Sequence, residues 1–495
     1  MNKLYNKILY FNRIKYFILL FFCFLFYTQS LFSQKNDIET FKKLSEYLQT
    51  YIDYKRIPSI SAGVYKKGKI FWLDAKGLID LENFVPAKNT SLYRIASITK
   101  SITAVAVMQL YEKGLIDLDA EINTYVPYFP KKKWKLTVRH ILNHTGGIRS
   151  YRSEEEFNSK MFYSTIKDAV LTFANDDLLF EPGTKYNYTS LGYSLLAAVI
   201  ENVSKTSFEN YLRKNIFEPA GMRATRVDRQ RSIIYERVRG YEKSPDRRFI
   251  NSPLADLSFK IAGGGLISTS EDLLLFVKAL LEEKLISKST LQMMINPTIL
   301  KTSQRINYGF GFSLADPSDS LNWFGHEGRG TGFSSGIMII PDEDLAAVYL
   351  INIRDRNLGN PSRDIINITK GQTVLVTKTL ADRLFDKYYS FGIDSLIFEF
   401  NQLYDTQNPE FNLSVDECVY VGNSLTDVKR IADAIRYLRI LNRRIPNNFL
   451  VLKSLGDVYS KDKNTGLALR YYREALLLKP DDSYVKNMID KLTKK

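Results

Sequence analysis

The apolar positions along this chain change their spacing from one region to the next. Phe41, Leu44, Leu48 and Ile52 recur at helical intervals and predict a helix that ends before Pro58. Two strand-like runs follow, Ser59–Lys66 and Lys69–Ala75, and the turn Lys67-Gly68 between them makes a hairpin the expectation. From Ser97 the run Ile102, Ala104, Val105, Ala106, Val107, Met108 and Leu110 leaves hardly any polar face. That marks a core helix, and Gly114 suits the left-handed turn after its end. Residues 115–200 alternate helical stretches with loops punctuated by Pro127, Pro130, Gly146-Gly147 and Pro182-Gly183. Strand-like runs return at Gly309–Ala315, Trp323–Gly325, Ser334–Pro341 and Leu345–Asn352. Strands at both ends with helices between them predict an α/β (α+β) domain: an antiparallel sheet built from the two ends, with a helical region inserted.

Length and charge refine this picture. At 495 residues the chain is too long for one core. Residues 36–358 form the first domain on this reading, 373–410 a helical linker and 411–495 an all-helical module. The net charge of +15 is spread over the chain without a dense basic stripe, which argues against nucleic acid as a partner. Lys3, Lys7, Arg13 and Lys15 precede an apolar run from Tyr16 to Tyr27, too short to span a bilayer, which takes roughly 20 residues. Residues 1–33 therefore read as a secretory signal and the protein as exported, periplasmic or extracellular, with an uncleaved membrane anchor as the alternative. Cys418 is then the one cysteine left, so no internal disulfide is expected.

Candidate chemistry begins at Ser97-Ile98-Thr99-Lys100. Residues at i and i+3 share a helix face, so the Lys100 amine can reach the Ser97 hydroxyl. A serine becomes a nucleophile when a base takes its proton, and burial can make a lysine that base. The helix N-terminus adds N–H donors where an oxyanion would form. Alone, the pattern equally describes a capping serine beside a surface lysine. His140 and His144 are spaced like metal ligands, but no Glu follows His140 and no third ligand stands out, so no metal is expected. Tyr188 opens a helix from a loop, where a nearby cation would lower its pKa for proton relay. Gly263-Gly264-Gly265 suggests close backbone approach, with Ser268 to Glu271 as a capping box. His326 lies among glycines in Phe324-Gly325-His326-Glu327-Gly328-Arg329-Gly330, where a substrate backbone could approach.

In order, these pieces resemble the serine β-lactamase-like hydrolases, the penicillin-recognising group that includes class C β-lactamases, DD-peptidases and esterases. The resemblance runs over roughly 40–355. Ser97-Ile-Thr-Lys100 looks like the nucleophile motif, Ile141-Leu-Asn-His144-Thr-Gly-Gly like the L-x-x-H-T-S-G loop, and Tyr188-Thr-Ser190 with Gly192-Tyr193 like the Y-S-N-x-G-Y segment. Gly263-Gly264-Gly265-Leu with Ser268-Thr269 resembles G-G-x-x-S-T, and Gly325-His326-Glu327-Gly328 the third motif. The resemblance implies an acyl-enzyme on Ser97, no cofactor, and acid and base roles shared by Lys100 and Tyr188. It implies an oxyanion hole from the N–H groups of Ser97 and the residue after Gly328, Arg329. Ser190 stands where an amide would bind substrate, and His326 where many relatives have lysine, contacting substrate or Tyr188 with a weaker positive charge. Peptidase or esterase action is therefore expected over efficient β-lactamase action, on a small-molecule or peptide substrate such as cell-wall peptide. Arg329 is a candidate for holding a substrate carboxylate.

Gly422, Ala434 and Pro446 recur as Gly456, Ala468 and Pro480, each 34 residues later. This resembles two tetratricopeptide repeats, about 415–448 and 449–482, with 483–495 as a capping helix. Such modules imply a protein or peptide partner. Two repeats are too few to stand alone and should lean on the linker or the first domain. The competing reading is a non-catalytic binding scaffold that works through these repeats.

Overall fold

The structure is a computed structural model, and it describes residues 36–494. The expected signal at 1–33 lies outside the described residues. The main sheet has seven strands: β1 (Ser59–Lys66), β2 (Lys69–Asp80), β3 (Val85–Pro86), β4 (Ser313–Leu314), β5 (Phe324–Gly330), β6 (Phe333–Ile340) and β7 (Leu345–Ile351). Their order across the sheet is β4-β5-β6-β7-β1-β2-β3, antiparallel throughout. The join between the two ends of the domain is β1 against β7, Ile60 opposite Ile351 and Val64 opposite Ala347. The expectation of a sheet closed from both ends holds.

Both faces of that sheet are covered, so β7 is buried at every position. On one face Ile60, Ala62 and Val64 meet Leu44, Leu48 and Tyr51 of α1 (36–55) and Ile365 and Ile366 of α5 (Pro361–Thr369). Because α5 supplies part of this core, the domain runs past the boundary of 358 read from the sequence. On the other face lie α2 (Ile98–Glu112), α3 (Leu191–Ser204) and α4 (Ser270–Leu281). Ser61 of β1 hydrogen-bonds Ser270 of α4 at 2.8 Å. The last strand-like stretches are shifted: β5 extends to Gly330, because Glu327 to Gly330 pair with Gly336 to Phe333. Of Gly309–Ala315 only β4 is strand.

Helix α2 is the spine of the domain, buried at every residue from Ile98 to Leu110. Two of its hydroxyls find carbonyls on neighbouring segments, Ser101 on Gly311 at 2.6 Å and Thr103 on Ala262 at 2.9 Å. Buried hydroxyls paired this way fix where those segments run. Gly114 follows the helix with φ of +68°, as its position predicted.

Beyond α5 the chain is helical: α6 (Leu380–Asp405), broken at Gly392, then α7 (Val415–Asp427), α8 (Ile431–Arg444), α9 (Phe449–Lys461), α10 (Thr465–Leu478) and α11 (Ser483–Thr493). The 34-residue echo is visible in the packing. A Cβ on Gly422 would lie 2.4 Å from Leu438, and one on Gly456 2.5 Å from Tyr472. These glycines let each hairpin close. The hairpins share one apolar core with α6, through contacts such as Phe400 against Tyr437 with ring centroids 5.1 Å apart.

Candidate active site

The site is assembled where α2 begins. Tyr93-Arg94 pairs with Ile267 and Ser268, and the Ile95 N–H donates to the Leu266 carbonyl at 3.1 Å. Ala96 then turns the chain with φ of +45°, a conformation a side chain seldom adopts. Ser97 occupies the cap position, but its side chain caps nothing. The capping-serine reading of Ser-x-x-Lys is thereby excluded.

Lys100 is fully buried one turn along. Its Nζ lies 3.1 Å from Ser97 Oγ, 2.9 Å from Ser190 Oγ and 2.7 Å from the Gly263 carbonyl. Burial above all, and then the nearby Lys260, drives its pKa well below the ordinary lysine value. A neutral amine has two N–H donors and one lone pair. The donors serve Ser190 and Gly263, which leaves the lone pair for the Ser97 proton. Ser190 is thus held against Lys100, and the Tyr151 hydroxyl reaches it as well. Gly263 must be glycine, since a Cβ there would lie 2.8 Å from the Ser190 backbone carbonyl.

Tyr188 hydrogen-bonds Ser97 through its hydroxyl, and Lys100 Nζ is 4.7 Å from its ring centroid. The expected lowering of its pKa does not occur: burial raises it. Tyr188 therefore keeps its proton. His326 differs from expectation too. Its Nε2 pairs with the Tyr308 hydroxyl at 3.0 Å, and its ring centroid is 6.1 Å from that of Tyr188. Burial, followed by Lys100, holds its pKa at about 3, so the expected weak positive charge is absent. The capping box is also corrected. Thr269, not Ser268, caps α4 by accepting from the Asp272 N–H, while Ser268 bonds Thr225 at 2.7 Å.

Strand β5 brings the last groups. The Trp323 carbonyl accepts from the Ala315 N–H at 2.9 Å, on the β4 side. Backbone groups alternate sides along a strand, so Gly325, Glu327 and Arg329 point the same way. Strand β4 pairs only with Phe324 and Gly325, which leaves the N–H of Arg329 on an unpaired edge. The Ser97 N–H is the other donor, at a helix start where N–H groups lack helical partners. Gly328 keeps the two together: a Cβ on it would lie 2.5 Å from the Ile95 carbonyl and 2.2 Å from Ser335 Oγ. Gly328→Ala is expected to push β5 away from Ser97 and lower turnover roughly 100-fold, measured on a chromogenic ester. The Arg329 side chain, by strand alternation, lies with Glu327 on the face opposite His326, near Tyr349. It reaches the cavity only around the strand edge.

That cavity, about 440 Å³, is lined by Ser97, Tyr188, His326, Arg329, Trp323 and Ser362 among others. A larger one of about 690 Å³ lies between α1 and α6, away from Ser97, so size does not locate the chemistry. His140 and His144 serve different partners. His140 Nδ1 pairs with Thr137 Oγ1 at 3.0 Å, whereas His144 Nε2 pairs with the Tyr308 hydroxyl at 3.3 Å. Sequence reasoning missed Tyr151 and Tyr308, the latter signalled only by the glycine and aromatic density of Tyr308-Gly309-Phe310-Gly311-Phe312, and it flagged Gly263 for close approach without assigning its carbonyl to Lys100.

The family described as Beta-lactamase matches residues 44–367. The human serine beta-lactamase-like protein LACTB, mitochondrial, is 28% identical over 379 residues, covering 58% of this chain and 69% of that protein. Penicillin-binding protein 4* of Bacillus subtilis is 29% identical over 300 residues, covering 58% and 66%. Among solved structures, an octameric penicillin-binding protein homologue from Pyrococcus abyssi is 26% identical, with a TM-score of 0.59 over 67% of this chain and 78% of that one. A D-stereospecific amidohydrolase from Streptomyces is 27% identical, with a TM-score of 0.55 over 66% and 97%.

Proposed function

This chain belongs to the beta-lactamase family, and on that premise we propose that it is an exported serine hydrolase cleaving an amide, peptide or ester through an acyl-enzyme on Ser97. The observation that carries this is the buried Lys100 amine, its pKa pushed down by burial, with Nζ 3.1 Å from Ser97 Oγ.

Ser97 Oγ attacks the substrate carbonyl carbon and its proton passes to Lys100 Nζ. The carbonyl electrons move to oxygen, which the N–H groups of Ser97 and Arg329 hold. As the C–N or C–O bond breaks, the leaving group takes a proton from the Tyr188 hydroxyl, and Lys100 returns its proton to Tyr188. Water then attacks the acyl carbon by the reverse route, releasing a carboxylic acid and restoring Ser97. Losing one oxyanion donor costs about 10²–10³ in rate in comparable sites, so both N–H groups matter.

The neutral His326 supports uncharged acyl groups, in peptides, amides or esters, over substrates that need a fixed cation beside the nucleophile. The likeness to a D-stereospecific amidohydrolase supports including D-amino acid amides and D-alanyl peptides among the candidates. Residues 1–33 support export, and the paired hairpins of 415–478 support tetratricopeptide repeats that present the enzyme to a protein or peptide. Labelling with a fluorophosphonate and a fluorescent β-lactam is expected to mark the native protein and not Ser97→Ala. Absence of label from the native protein with both probes would favour a binding scaffold. A panel of D-alanyl peptides, cephalosporins and short esters then ranks the substrates.

A further inference from the structure

Outside the acylation machinery one buried polar chain stays unused. It starts at His144, whose Nδ1 is 3.3 Å from the Thr189 N–H. A backbone N–H can only donate, so that nitrogen is an acceptor and the His144 proton sits on Nε2. Nε2 faces the Tyr308 hydroxyl at 3.3 Å, which must accept from it. The single Tyr308 proton is then free to go to His326 Nε2, 3.0 Å away. His326, its Nε2 occupied, carries its proton on Nδ1 and donates to the Glu327 carbonyl at 2.5 Å. Tyr193 directs its own hydroxyl proton to the Leu142 carbonyl at 2.8 Å, so toward the neighbouring Tyr308 hydroxyl its oxygen can only accept. The Glu327 carbonyl can only accept, so a neutral His326 carries its proton on Nδ1 and its Nε2 must accept; that sends the Tyr308 proton to His326 rather than to the Tyr193 oxygen.

We propose that Tyr308 is a positioning residue for the Ser97 site: it locks His326 in the Nδ1–H form, so that His326 is a fixed neutral wall rather than a proton carrier. This rests on the acyl-enzyme reading given above and deepens it. With its lone pair taken by Tyr308 and its proton by Glu327, His326 has nothing to give a leaving group, which leaves that task to Tyr188. Tyr308 also stands edge-on to the Tyr188 ring, 6.2 Å between centroids, so it supports the acid sterically.

The groups facing His326 are few. They are Lys100 from α2, His144 and Tyr188 from the inserted helical region, Tyr308 from the loop before β4, and the apolar Ile337 opposite it on β6. The side chains of Glu327 and Arg329 lie on the other face of β5. Removing the Tyr308 hydroxyl therefore frees the Nε2 lone pair without supplying another donor.

The chain has only three histidines, so ¹⁵N-histidine labelling gives six ring-nitrogen signals, assigned with His140→Gln and His326→Gln. In the native protein His326 is expected as the Nδ1–H tautomer and His144 as Nε2–H, both unchanged from pH 5 to 8. In Tyr308→Phe, which keeps the ring, the His326 Nε2 signal is expected to move to that of an imidazole nitrogen without a donor, and its pKa to rise while staying below the ordinary histidine value, because burial and Lys100 still hold it down. Turnover of the best ester is expected to fall about three- to tenfold with KM little changed, and an acid limb absent from the native profile is expected to appear. Tyr308→Phe combined with His326→Gln should remove that limb. The opposite tautomers in the native protein, or a His326 Nε2 signal unchanged in folded Tyr308→Phe, would overturn the proposal. The NMR arms need no substrate, so a protein that is not a hydrolase would still report on the lock.

Discussion

Lys100→Met is expected to reduce acylation of Ser97 by on the order of 10²–10⁴-fold while leaving substrate binding nearly intact. Methionine matches the lysine stem in length and polarity of its surroundings, so the loss isolates the amine. The reason for so large an effect is geometric. Three oxygens converge on Nζ, and Ser97 Oγ alone among them is a nucleophile. The pH profile of the native enzyme gives an independent check. Because burial lowers the Lys100 pKa, activity should persist well below the range where an ordinary lysine deprotonates, and fall only as the pH drops through the depressed value. The sign for stability follows from the same shift. Between the two pKa values the unfolded chain binds a proton at Lys100 that the folded chain does not, so folding is penalised there, and the penalty grows as pH falls. The melting temperature of Lys100→Met relative to native should therefore rise as the pH is lowered from 10 to 6. A difference independent of pH would mean that Lys100 is charged in the folded protein, and the base role would fall with it.

How much of this was legible in the sequence depends on the range of the interaction. Ser97 and Lys100 lie one helical turn apart, and the apolar run behind them announces a buried helix; local periodicity was enough. The two-ended sheet was legible because β1 and β2 form a hairpin while the late strands alternate in short runs. Ser190 and His326 were placed near the right chemistry, but the hydrogen-bond partners they have in the fold were not legible. Their partners, Lys100 and Tyr308, are 90 and 18 residues away, and no local rule says which oxygen meets which nitrogen. The Tyr188 shift was misjudged for a related reason. A lysine next to a phenol lowers its pKa only if the lysine is charged, and whether it is charged depends on burial contributed by Tyr193, Gly263 and the rest of the core. Arg329 shows the opposite limit. Its N–H position follows from strand pairing and is useful, whereas its side chain is carried to the other face by the same alternation.

Asp382→Ala is expected to destabilise the protein by about 3–5 kcal/mol, the cost of leaving a buried charge without its partner. Lys243 and Arg247 come from the first domain and are 2% and 3% exposed. They are neutralised by Asp355 of the same domain and by Asp382 of α6. Asp382 lies 2.9 Å from Lys243 and 2.7 Å from Arg247, so its removal leaves two buried cations and one carboxylate. Burial, with the neighbouring Arg247 charge, pulls the Lys243 pKa down although both carboxylates raise it, so desolvation is not fully offset even with both present. The surroundings support a fixed rather than a tethered module: Asn357 donates to Glu417 of α7 at 3.0 Å, and Arg356 stacks over Tyr420 at 4.6 Å. Arg56→Ala supplies the contrast. It pairs with Asp386 across the same junction, but the two side chains are 45% and 48% exposed, so its loss should cost at most about 1 kcal/mol and shrink with salt. Urea unfolding of both variants at low and high salt separates the cases. If Asp382→Ala unfolds within about 0.5 kcal/mol of the native protein, a scale typical of surface changes, the charge cluster does not hold the helical module in place. If it is strongly destabilised and salt does not rescue it, the module is part of the same folded body as Ser97, and any partner it binds acts on a scaffold continuous with the catalytic sheet.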